Sequence, residues 1–141
     1  MDMDRNRMKH MGLSRTFSQC SAVLSLATLL IYSIYGLIYS YFDLVVFLSL
    51  ALGVICAQVY VIVQRGWSCL LNLVSVAFLS FGVGLFFLNS YPVWADRLNN
   101  IDMYGSRGTL VPVVSIILLL FVCILLGIIS CFSLDRKDVK K

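Results

Sequence analysis

Residues 110–133 read LVPVVSIILLLFVCILLGIISCFS, without a single charge. A helix crosses the hydrocarbon core of a bilayer with roughly 20 mostly apolar residues, so this stretch holds one span. The continuous run Val113–Leu126 does not alternate between apolar and polar positions, which argues against the strands of a membrane β-barrel. Outward from it, the chain shows three more charge-free runs, at 16–42, 44–64 and 66–95. Each is long enough for one helix and too short for two. The sequence therefore predicts an all-α integral membrane protein with four transmembrane helices in an antiparallel bundle, spanning about 21–41, 44–63, 68–91 and 110–133. Residues 1–20 and 135–141 read as basic tails and 92–109 as an outer loop.

Composition agrees. Of 141 residues, 60% are hydrophobic and 13% charged, against about 45–50% and 25% in soluble domains. A water-soluble globule of this size could not hide so much apolar surface. Soluble enzymes, nucleic-acid-binding domains and disordered tails are excluded as classes.

Local signals punctuate the spans. Asp43 is placed to cap the second helix through its first free N–H groups, and Gly66 suits the turn between helices two and three. Pro92 is expected to close the third helix. Thr109 is expected to cap the fourth, with Pro112 in its first turn, where a missing N–H costs little.

Nine of the eleven Lys and Arg residues fall on one side of this topology: Arg5, Arg7, Lys9 and Arg15, then Arg65, then Arg136, Lys137, Lys140 and Lys141. The positive-inside rule makes that side cytoplasmic. Both termini are expected there, in a multi-pass protein of the cell membrane whose first helix stays attached as an anchor. The net charge of +4 is then mostly a topology signal.

Helix one carries a polar stripe at alternating steps of three and four: Ser18, Ser21, Ser25, Thr28, Tyr32, Tyr35 and Tyr39. Such positions share one helical face, and in lipid that face looks into the bundle, where hydroxyls find partners. An interhelical seam is the expected role, the wall of a solute path the alternative. Ser68, Asn72, Ser75, Gly82 and Asn89 repeat the pattern more weakly on helix three. Small residues recur four apart at Ser49, Gly53 and Ala57, at Ser80 and Gly84, and at Cys123, Gly127 and Cys131, spacings that let helix backbones approach closely. Gln58 and Asn72 each lie seven residues from Arg65. An antiparallel hairpin turning at Arg65 puts both at one depth, about 10 Å from the turn. The expectation is that these amides bond each other or share a partner, since an unpaired amide in hydrocarbon is costly.

Little in the chain resembles catalytic or metal chemistry. It contains no Glu and one His, His10, in the N-terminal tail. Coupled transporters usually keep a carboxylate or His inside the membrane, so proton-coupled transport is disfavoured. Asp96 and Asp102 are read as loop residues paired locally with Arg97 and Arg107 rather than as an acid–base pair. The five cysteines form no Cys-x-x-Cys pair, which leaves thiol–disulfide exchange unsupported. No catalytic residue, cofactor or metal is expected.

The outer loop is the expected seat of specificity. Trp94, Asp96, Arg97, Asp102, Tyr104 and Arg107 are its candidate partner contacts, because aromatic and Arg residues are enriched where proteins meet. Leu98 and Ile101 predict a short amphipathic helix over 95–103 lying on the membrane. The expected partners are the lipid bilayer and either a second copy or a larger membrane or cell-surface protein, not nucleic acid. The function these features favour is that of a non-enzymatic accessory or assembly subunit, with a small transporter or channel for a neutral or lipid-like solute as the alternative.

Overall fold

The computed structural model describes the backbone of residues 2–63, 68–101 and 109–135, with side chains described for 16–63, 70–101 and 109–132. The described residues form five helices: α1 Asp2–Tyr39, α2 Leu44–Val63, α3 Ser68–Asn89, α4 Tyr91–Asn99 and α5 Leu110–Asp135. No strand occurs among the described residues. The stretches Thr16–Tyr39, Leu44–Val63, Leu70–Asn89 and Leu110–Phe132 are each long and apolar enough to span a membrane. Gly66 lies outside the described residues.

The long helices form a ring in which α1 packs on α2 and α5, and α3 packs on α2 and α5. Residue pairings run antiparallel: Ala22 meets Gln58 while Tyr32 meets Asp43, and Ser75 meets Gly53 while Gly82 meets Leu50. Leu50, Leu79, Ile116, Leu120 and Cys123 fill the centre, together with the hydroxyl residues Ser25, Thr28, Ser75 and Ser130. The outside is Leu, Ile, Val and Phe: Leu37, Ile62, Leu73, Leu118 and Phe132 are all exposed. Polar side chains inside and apolar ones outside is the distribution a lipid solvent favours.

Glycines set the α2–α3 spacing. A Cβ on Gly53 would sit 2.9 Å from Leu79 Cγ, and one on Gly82 would sit 2.7 Å from Leu50 Cδ2. Each helix thus inserts a leucine into the other's glycine notch. Gly127 does the same for α3 on α5, where a Cβ would lie 2.8 Å from Val76 Cγ2.

The helix ends differ from the sequence expectations in three places. Helix α1 starts at Asp2 rather than near residue 21, because extending an existing helix is far cheaper than nucleating one. It stops at Tyr39, two residues early, where Ser40 turns left-handed (φ 56°). Pro92 does not simply close α3. It falls in the first turn of a new helix, where its missing N–H is tolerated, so the short helix covers Tyr91–Asn99 instead of 95–103. Ser90 is the joint: its N–H and hydroxyl both donate to the Phe86 carbonyl, and its own carbonyl accepts from Val93 and Trp94 N–H. Asn100 in the left-handed region (φ 51°) ends α4. Asp43 caps α2 as its position requires, accepting from Val45 N–H at 2.7 Å. The Thr109 carbonyl takes the first bond of α5, from Val113 N–H.

Candidate functional site

Two polar systems occupy opposite halves of the bundle. In the half nearer the termini, each of the four helix seams carries one hydrogen bond from a side chain to a backbone carbonyl. Ser21 Oγ donates to the Cys123 carbonyl (3.1 Å), linking α1 to α5. Gln58 Nε2 donates to Ala22 (2.9 Å), linking α2 to α1. Ser75 Oγ donates to Gly53 (2.7 Å), linking α3 to α2. Asn72 Nδ2 donates to Gly127 (2.9 Å), linking α3 to α5, and also reaches Cys131 Sγ. All four acceptors belong to Ala, Gly or Cys. A helical carbonyl already bonded within its helix still has a free lone pair, and only a small side chain leaves that lone pair open to a neighbour.

Gln58 and Asn72 therefore do not meet or share a partner, as the hairpin spacing had suggested. Their common depth is consistent with the spacing, but α2 and α3 meet along the faces that carry Gly53, Leu79, Gly82 and Leu50, and the amides turn away from that contact to α1 and α5. Such contacts contribute roughly 0.6–2 kcal/mol each in membranes. Gln58→Leu and Asn72→Leu are expected to destabilise by about that much each, and the double variant by the sum within about 0.5 kcal/mol. Equilibrium unfolding in SDS checks this, and strong non-additivity would mean that the two amides are coupled after all.

The α1 stripe faces inward from Ser18 to Tyr35: Ser25, Thr28 and Tyr32 are at most 1% exposed, and Tyr35 is 5% exposed. Ser25 and Thr28 satisfy their hydroxyls on their own helix, at the Ala22 and Leu24 carbonyls. Tyr39 departs from the seam. It is 39% exposed, because α1 ends there and nothing packs over it, and its ring rests on Tyr35 (centroids 5.2 Å).

The other half ends in a cup that no sequence period marks. Its volume is about 260 Å³, and it lies between the end of α1, the 40–43 reversal, the end of α3 and the start of α4. Tyr35, Tyr41, Phe42 and Phe86 supply aromatic walls, with Asp43 and Asn89 among the polar groups. Tyr32 props the structure from below: its hydroxyl donates to the Asp43 carbonyl and accepts from Asp43 N–H, while its ring meets Phe86 edge-on at 5.4 Å. The Asp43 carboxylate caps α2 with one oxygen and accepts from Asn89 Nδ2 with the other. In the sequence Asp43 read as a cap and Asn89 as part of a weak stripe. A charge-free run broken by one acid between Phe42 and Leu44 was the signal that the site offered.

Of the loop candidates, Asp102, Tyr104 and Arg107 lie outside the described residues. Trp94 is half-buried and its ring packs on Phe87 (centroids 5.3 Å). Asp96 is buried at 6% exposure, not in open water as a loop position had implied, because α4 turns Val93 and Asp96 against the end of the bundle. Arg97 is exposed in the last turn of α4, where a cation suits the helix dipole. No protein-family model matches this chain, and no curated protein or solved structure is significantly similar to it.

Proposed function

We propose that this chain is a non-enzymatic assembly subunit of the cell membrane, with both termini cytoplasmic, that packs the outer face of α3 against a transmembrane helix of a second chain. The observation that carries the reading is the fate of the three small-residue stripes. Ser49, Gly53 and Ala57 are buried in the bundle, as are Cys123 and Gly127. Ser80 and Gly84 are exposed, and a Cβ on Gly84 would meet nothing within 4 Å. A glycine in a helix interior costs roughly 1 kcal/mol relative to alanine, and among the described residues no contact at Gly84 offsets that cost. Close approach of a second backbone would. Phe81 and Leu88 flank this notch and are exposed as well.

The orientation rests on the sequence, in which nine of the eleven basic residues fall in the two tails and the α2–α3 loop. The alternative, a conduit along the α1 stripe, draws little support from side chains packed as tightly as Ser25, Thr28 and Tyr32. Native mass determination in mild detergent tests the proposal. The wild-type chain is expected with a stoichiometric second polypeptide, a copy of itself or a larger membrane protein. Gly84→Leu is expected to release it while leaving the unfolding free energy within about 0.5 kcal/mol of wild type. A monomeric wild type, or a complex that Gly84→Leu leaves intact, would overturn the reading.

A further inference from the structure

The cup at the α4 end has four properties that ordinary packing does not explain. It is a space of about 260 Å³, just under the roughly 300–1,000 Å³ of pockets for drug-sized ligands, which suits a small head group. Its walls are aromatic: Tyr35 and Phe86, both buried, form the inner part, and Tyr41 and Phe42, both partly exposed, form the rim. Among the described residues its lining has one formal charge, the Asp43 carboxylate, and no basic residue. That carboxylate is held only by neutral donors, Val45 N–H, Val46 N–H and Asn89 Nδ2. Among the described residues no cation pairs with it. Finally, the buried Tyr35 lines the cup with its ring set edge-to-face against Phe86, centroids 6.0 Å apart.

Together these define a ligand. Aromatic faces attract cations through their quadrupoles and recognise alkylammonium groups in particular. A carboxylate held by neutral donors selects the same charge and repels anions. A metal ion would demand several oxygen ligands in a shell, which one carboxylate already bonded at both oxygens cannot provide. The cup also sits where α1 and α3 leave their apolar stretches and α2 enters its own, the level of lipid head groups in a bilayer. We propose that this cup binds a small alkylammonium group of the choline or ethanolamine type, either free in solution or carried on a lipid head group. The proposal is independent of the α3 docking face, which lies outside the cup.

The test uses the full chain in phosphatidylglycerol nanodiscs, titrated with tetramethylammonium chloride against matched sodium chloride and read by equilibrium dialysis. A second arm measures, by native mass spectrometry from mixed nanodiscs, whether phosphatidylcholine is retained over phosphatidylglycerol. Asp43→Asn keeps a competent helix cap and removes the charge, and is expected to weaken either signal by about tenfold or more. Tyr41→Leu, at the exposed rim, removes one aromatic wall and is expected to weaken it several-fold, so the test survives if Asp43→Asn fails to fold. Lipid retention displaced by tetramethylammonium identifies a lipid head group, and tetramethylammonium binding without retention identifies a free amine. Neither signal in the wild type, or a signal that the folded variants leave unchanged, overturns the proposal.

Discussion

Gly53→Val and Gly82→Val are each expected to pry α2 from α3, lowering stability by about 1–3 kcal/mol or more, the usual cost of overpacking. The arithmetic favours strain over propensity. Valine gains a few tenths of a kcal/mol over glycine in a helix. Against that, even a bare Cβ would stand 2.9 Å from Leu79 Cγ at position 53 and 2.7 Å from Leu50 Cδ2 at position 82. Neither leucine has room to retreat, since both are about 1% exposed. Gly84→Val, on the same helix with open space around it, is expected to leave stability unchanged or slightly higher. Pairing Gly53→Val with Leu79→Ala restores the volume balance and is expected to recover part of the loss. SDS-driven unfolding of the four variants checks the set. Equal costs at 82 and 84 would show that the α2–α3 notch does not exist in the bilayer.

Tyr32→Ala is expected to be the most damaging side-chain deletion in the protein. In water its cost would include a large transfer term, but lipid tails are as apolar as a protein core, so here the cavity term dominates. At about 24 cal/mol per Å³, a void of roughly 100 Å³ costs about 2.4 kcal/mol. The lost hydroxyl adds to this, because Tyr32 Oη accepts from Asp43 N–H and donates to the Asp43 carbonyl. Tyr32→Phe isolates that second part and is expected to cost about 0.5–1.5 kcal/mol. The two variants separate the packing role from the bonding role. If Tyr32→Phe costs as much as Tyr32→Ala, the ring contact with Phe86 contributes little and the reversal at 40–43 hangs on its hydrogen bonds alone.

The four helices of spanning length were legible because hydrophobicity and length alone mark them, and charges at Asp43, Arg65 and Arg107 mark the breaks. The α1 stripe was legible for the same reason that any helical face is: steps of three and four fix a direction. What spacing cannot fix is the azimuth of one helix against another. Gln58 and Asn72 were read at a common depth, yet which neighbour each amide would reach depended on where Gly53 and Gly82 let α2 and α3 touch. Pro92 misled because a proline that ends one helix and a proline that begins the next look alike without knowing that Ser90 bonds in both directions. The cup was hidden for a third reason. Its walls come from residues 35, 41–43, 86 and 89, short pieces that carry no common period and meet only when the ring closes.

Docking through α3 rests on one contrast: Gly53 and Gly127 are covered by neighbouring helices, whereas Ser80 and Gly84 are open. Photo-crosslinking in native membranes tests it most directly, with a photoreactive side chain at position 84 and, as a control, at position 118 on the exposed face of α5. Docking through α3 gives one discrete adduct from position 84 and none from 118. Adducts from both positions alike, or from neither, would contradict it.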